Sequence, residues 1–87
     1  MRDLALVLSV LSSLKNKPIP KDTVVFGEIG LSGEIRPVPS GQERLKEAIK
    51  HGFKRAIIPE GNCPKTTPSG VEIFPAKRLV DVLNYLA

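Results

Sequence analysis

The sequence predicts an α/β domain, a small mixed sheet with helices, its elements in the order α-β-β-α-β-β-α. Three observations carry that expectation. Apolar residues recur at helical spacing in three stretches, Leu4/Leu8/Leu11/Leu14, Leu45/Ala48/Ile49 and Leu79/Val82/Leu83/Leu86. Between them lie short apolar and β-branched runs, Thr23-Val24-Val25-Phe26, Ala56-Ile57-Ile58 and Val71-Glu72-Ile73-Phe74. Prolines and glycines punctuate the junctions, and strands interleaved with helices pack as layers.

The first helix is expected over residues 3–14, with Asp3 as N-cap. Leu6, Val7 and Val10 extend its apolar surface almost all round, so it needs cover on most faces. Lys15 to Lys17 and the Pro18-Ile19-Pro20 corner end it. Thr23–Phe26 reads as a strand that Gly27–Ile29 continues. Leu31-Ser32-Gly33 is a turn, and a second strand follows at Glu34-Ile35-Arg36. The pair reads as an antiparallel hairpin from about Val24 to Arg36. Pro37 and Pro39 stop it.

Ser40-Gly41-Gln42-Glu43 has the form of a capping box, which starts a helix at Gly41 or Gln42. Leu45, Ala48 and Ile49 should face the core, Lys46, Glu47 and Lys50 the water. Gly52 supplies the stop, and Phe53 folds back over the last turn. Ala56-Ile57-Ile58, closed by Pro59, is a strand of the buried, parallel kind. A polar loop from Glu60 to Gly70 precedes the strand Val71–Phe74, and the last helix runs from about Lys77.

Residues 1–87 make a single domain at most, since a chain this short buries only roughly 60–65% of its unfolded surface. The charge of +4 suits a polyanionic partner and solubility equally well. Cys63 is the only cysteine, which excludes an internal disulfide and fits a reducing cytosol. With His51 the only histidine, a structural zinc site has too few ligands. The most apolar run, Leu4 to Val10, is too short to span a bilayer and lacks the flanks of a signal peptide. A cytoplasmic protein without membrane contact is expected.

The run Gly27-Glu28-Ile29-Gly30-Leu31-Ser32-Gly33-Glu34-Ile35-Arg36-Pro37-Val38 resembles, without gaps, a stretch of Lon-type proteolytic domains. The continuation Pro39-Ser40-Gly41-Gln42-Glu43-Arg44-Leu45-Lys46-Glu47-Ala48, then Gly52-Phe53-Lys54-Arg55-Ala56-Ile57-Ile58-Pro59, looks like the Lon-like domain of the RadA (Sms) family of bacterial recombination proteins. The resemblance covers essentially the whole chain. It implies the C-terminal half of a Lon proteolytic-domain-like fold (ribosomal-protein domain-2-like). Lon-type proteases use a Ser–Lys dyad in which the Lys deprotonates the Ser. The family's Lys position falls on Gln42, an amide that cannot act as a base, and the Ser position falls at about Met1. A module without peptidase activity is therefore implied. ATP, magnesium and zinc are expected only in the family's other domains, a RecA-like ATPase and a zinc finger. This sequence has no Gly-x-x-x-x-Gly-Lys-Ser/Thr loop and no cysteine cluster.

The role the resemblance leaves is support of an oligomer and contact with DNA. Arg36, Arg44, Lys46, Lys50, Lys54 and Arg55 fall on or beside the second helix and form the candidate phosphate-contacting patch, against the plainer reading of a solvated helix face. Aromatic interleaving is absent, which disfavours base stacking on single strands. Self-association through the Leu4–Leu14 helix is expected from its excess apolar surface. The alternative is a fragment of an ATP-dependent Lon-type Ser–Lys peptidase domain, which Gln42 disfavours. Ser9, Ser12 and Ser13 read as hydroxyls bonding back along their helix, His51 as a surface residue at a helix end, and Cys63 as an incidental thiol. Gly27, Gly30 and Gly33 read as turn and close-packing glycines rather than a nucleotide loop.

Overall fold

The computed structural model describes residues 2–86. Its elements are β1 (Arg2–Asp3), α1 (Leu4–Leu14), β2 (Thr23–Val25), β3 (Glu28–Ile29), β4 (Ile35–Arg36), α2 (Gly41–Lys50), β5 (Arg55–Pro59), a single 3-10 turn (Glu60–Asn62), β6 (Glu72–Ala76) and α3 (Leu79–Leu86). The α/β class holds. The pairing is mixed but divided between two three-stranded sheets, a parallel one ordered β2-β5-β6 and an antiparallel one ordered β1-β3-β4.

The parallel sheet is the centre of the molecule. β5 lies between β2 and β6, with Thr23 opposite Arg55 and Arg55 opposite Glu72. Ala56, Ile57 and Ile58 are each at most 1% exposed, the unbroken apolar run of a strand covered on both faces. Side chains alternate across a strand, and the core divides accordingly. Val25, Ile57, Phe74 and Ala76 join Leu4 and Leu8 of α1 and Val82 of α3. Val24, Phe26, Ala56, Ile58 and Ile73 join Leu45 and Ile49 of α2. The layers are therefore α1 with α3, sheet, and α2.

The expected hairpin from Val24 to Arg36 is corrected. Only Glu28–Ile29 pairs with Ile35–Arg36; Thr23–Val25 belongs to the parallel sheet. The break falls at Gly27, whose φ is +143°. A Cβ there would lie 3.0 Å from the Pro59 ring and 3.3 Å from both Leu4 and Ile35. No other residue fits the bend that carries the chain from one sheet to the other. The element order is corrected with it, by this split and by β1, too short to leave a sequence signal. The last strand and helix also begin later than expected, at Glu72 and Leu79.

Helix ends follow local chemistry. Asp3 caps α1, its Oδ1 accepting from the Leu6 amide at 3.0 Å. α1 closes with Asn16 at φ +54°, as Lys17 N–H bonds the Ser12 carbonyl and Asn16 N–H that of Ser13. α2 closes likewise with Gly52 at φ +93°: Phe53 N–H reaches the Ala48 carbonyl and Gly52 N–H that of Ile49. The capping box does not form. Ser40 precedes α2 in the left-handed region at φ +58° and makes no side-chain cap bond.

The cover of α1 is one-sided. Leu4 and Leu8 are buried, whereas Leu6, Val10 and Leu14 are 65%, 54% and 79% exposed. Spaced by four, these three make an apolar stripe on the outer face. Among the described residues no helix is long and apolar enough to cross a membrane.

Replacing Ile57 by Ala should lower unfolding stability by about 2–5 kcal/mol, because the site is fully enclosed and closes poorly over a cavity. Urea denaturation with an unchanged m-value checks this; a loss below 1 kcal/mol, the scale of a surface change, contradicts β5 as the core strand.

Candidate functional site

Gln42 lies in the first turn of α2 with its amide in water. The helix start beneath it is fixed by close packing, since a Cβ on Gly41 would collide with the Asn62 carboxamide. Asn62 clasps the incoming chain, accepting from Val38 N–H at 2.8 Å and donating to the Val38 carbonyl at 3.0 Å. Gly61 packs against the Pro37 ring at 3.2 Å from where its Cβ would be. The position of Gln42 thus depends on a turn some twenty residues further on, which no local pattern reveals. Met1, the residue at the expected Ser position, lies outside the described residues.

The six candidate cations are all exposed but differ in state. Arg36 reaches the Glu34 carboxylate at 2.9 Å, and Arg55 comes within 3.7 Å of Glu72. Arg44 sits over the Phe26 ring, 5.0 Å from its centroid, in a cation–π contact. Lys46, Lys50 and Lys54 have no acidic partner among the described residues. Lys46 and Lys50, four apart, share a face of α2; at about 100° per residue, Arg44 points about 160° away from Lys46. The helix therefore groups the lysines and sets Arg44 apart, on the flank that meets Phe26.

The turn between β3 and β4 is tied down from several sides. Gly33 N–H donates to the Gly30 carbonyl, Gly30 N–H to that of Glu34, and Glu34 Oε1 accepts from the Ser32 amide at 3.0 Å. Arg78 donates to the Ser32 carbonyl at 2.6 Å. Ile35 N–H bonds the Lys77 carbonyl and Leu79 N–H that of Gly33, which joins the hairpin to the start of α3. Bonds from its own backbone amide, from Arg36 and from Ser32 hold the Glu34 carboxyl below the usual carboxylate range. The sequence hid Arg78, whose partner lies 46 residues away.

The remaining polar candidates are structural. Ser12 bonds back to the Ser9 carbonyl at 3.1 Å. His51, at the end of α2, lies 3.1 Å from the exposed Glu47 carboxylate. Cys63 packs at the edge of the α2 core, and that burial, with Glu60 nearby, pushes its thiol pKa up, away from reactivity.

The fold and site define an α/β domain in which a tied antiparallel hairpin feeds a lysine-bearing helix. The chain belongs to the family described as Subunit ChlI of Mg-chelatase, which it matches over residues 1–62. It is homologous over nearly its whole length to proteins named DNA repair protein RadA. It is 63% identical over 84 residues to that of Pseudomonas aeruginosa, which covers 97% of this chain. With that of Escherichia coli it is 62% identical over 82 residues, 94% of this chain, and with that of Bacillus subtilis 42% over 83 residues. The chain spans 18% of the length of each of these relatives. The RadA likeness read from residues 39–59 is thereby established.

Because the folded-state pKa of Glu34 is depressed, its carboxylate stabilises the hairpin above the ordinary value of 4.5, and this contribution is lost as pH falls through the folded-state value. Thermal unfolding of the parent should therefore weaken on acidification below pH 4.5, and Glu34→Gln should be less stable at neutral pH while losing less on acidification. Parallel acid limbs in the two proteins would contradict the role given to this carboxylate.

Proposed function

We propose that this chain is a non-proteolytic, Lon-like module of a RadA-type DNA repair and recombination protein, one that supports assembly and contacts DNA. The observation that carries the reading is identity above 60% with proteins named DNA repair protein RadA over nearly the whole chain. The family description names a magnesium-chelatase subunit, but the residue-level likeness to the repair proteins is the more specific. ATP-driven work is assigned to the other domains of such proteins, with ATP, magnesium and zinc held there.

The Lon-like half-fold is supported by the hairpin Glu28–Arg36 leading into a helix at Gly41, the arrangement the resemblance implies. Absence of peptidase activity is supported by Gln42, whose amide has no lone pair basic enough to deprotonate a Ser. The runner-up, a fragment of a working Ser–Lys peptidase domain, needs Lys at that position.

DNA contact rests on phosphates, not bases, since the free cations are lysines on one helix face and its flank. Lys46, Lys50 and Lys54 lead that contact, being exposed and unengaged; Arg36 and Arg55 each share an acid. Duplex binding measured against salt should be weak and steep, with Lys46→Ala plus Lys50→Ala reducing affinity equally for unrelated sequences and flattening the log–log slope by about 2. The same preparation should leave an unfolded protein substrate intact. An unchanged slope in the double variant would remove the DNA-contact reading, and reproducible cleavage the non-proteolytic one.

Assembly rests on the outer stripe of α1. Leu6, Val10 and Leu14 leave apolar area in water at about 25 cal/mol per Å², and a second copy of the same helix covers it with matching chemistry. Sedimentation equilibrium should show reversible association that Val10→Asp abolishes. A monodisperse 9.5 kDa species at every concentration would contradict it.

A further inference from the structure

Between the C-terminal halves of α1 and α3 runs an open groove of about 490 Å³. Its lining residues Leu8, Leu11 and Ser12 lie on the side of α1 opposite Leu6, Val10 and Leu14, and α2 packs on the other face of the sheet. Its floor is Leu8, Leu11, Leu83 and Leu86 with the ring of Tyr85, which stacks on Phe74 at 4.3 Å between centroids. Its rim carries Lys15, Lys17 and Arg55. Glu72 is the one acidic residue in the lining, and it lies beside Arg55. Lys15 and Lys17 have no acidic partner among the described residues.

We propose that this groove is a docking site for an amphipathic helix of a partner protein, apolar on one side and acidic along its edge. The apolar floor and the cationic rim are separate demands, and one occupant meets both. A nucleic acid would satisfy the lysines but leave the leucines and Tyr85 uncovered. A basic helix would cover the floor but bring like charges to the rim. The volume falls within the range of roughly 300–1,000 Å³ typical of ligand sites, and two flanking helices form walls that take a third at i, i+3/i+4 and i+7 anchors. Glu72, already beside Arg55, leaves the two lysines as the specificity-setting pair. The proposal is independent of the DNA-contact reading and shares only Arg55 with it.

Tyr85 is the only tyrosine in a chain without tryptophan, so its fluorescence reports the groove directly. The probe is a synthetic helix of about 16 residues, with Leu at i, i+3, i+4 and i+7 and Glu at the flanking positions, against a version with every Glu replaced by Lys. Titration into the whole chain at low salt should give a saturable Tyr85 response to the acidic helix and at least about tenfold weaker binding of the basic one. Lys15→Glu with Lys17→Glu should invert that preference; both side chains are exposed, and circular dichroism matching the parent shows that the fold is kept. Leu86→Ser should weaken both helices. The proposal is overturned by equal binding of the two helices, by no response, or by a preference that survives the double variant. It is also overturned if a short DNA duplex gives the same Tyr85 response, or if that response follows protein concentration alone, which would assign the groove to polyanions or to a second copy.

Discussion

Burial of β5 on both faces is the constraint from which the rest of this domain follows. A strand carrying Ala56, Ile57 and Ile58 in succession cannot have a wet side, so one layer of helix is needed on each face of the sheet. α2 meets that need on one face with Leu45 and Ile49, α1 and α3 on the other with Leu4, Leu8 and Val82. Parallel pairing on either side of β5 then obliges the chain to cross between its strands by long connections. One of those connections, from β2 to β5, contains the whole hairpin and α2. The elements that bear the candidate functional groups are thus insertions between two strands of a rigid sheet.

That placement explains why the hairpin is so heavily tied. A two-stranded ribbon of two residues per strand has little stability alone. It borrows β1 on one edge and the segment Lys77–Leu79 on the other, while Glu34 and Arg78 hold its turn. Asn62 does the same for the chain between β4 and α2, satisfying both backbone groups of Val38 as a neighbouring strand would. Charges used in this way stay at the surface but are engaged. Arg36 and Arg55 lie beside acids, and Arg44 beside a ring, so among the six candidates the cations without an acidic or aromatic partner are the lysines.

What could be read in the residues was whatever depends on near neighbours. α2 was legible because its apolar spacing, its Lys50 and its Gly52 stop are all local, and the strand at Ala56–Ile58 because an apolar triplet closed by Pro admits few other readings. β2 was misassigned because its true partner, Arg55–Ile57, lies far along the chain, whereas Glu34–Arg36 lies close. Composition alone does not distinguish a strand that continues through Gly27 from one that bends there. The Ser40–Glu43 pattern fitted a capping box, but two prolines upstream and the Asn62 clasp deliver Ser40 in a left-handed conformation that no Ser-x-x-Glu pattern encodes. Of the candidate site, the identities of the cations were legible and their engagements were not: Arg44 reads as a phosphate contact in sequence and lies on Phe26 in space. The excess of apolar residues on the first helix was visible from the start, because it depends only on spacing within one element.

The antiparallel sheet also has a consequence for how the chain comes to be folded. Asp3 pairs with Glu28, Glu28 with Arg36, and the same β4 edge bonds Lys77 and Leu79 through Ile35 and Gly33. One small sheet therefore stitches the beginning of the chain to its last helix. On a ribosome, the first strand must wait for residues 28–36 to emerge, and the finished edge for residues 77–79. α2 closes by contacts within itself and forms early, but a sheet of such long-range pairings assembles slowly and late. Until residues 72–86 emerge, the face of β5 that packs against α3 also lacks its partner, and the nascent chain is at its most exposed to mispairing.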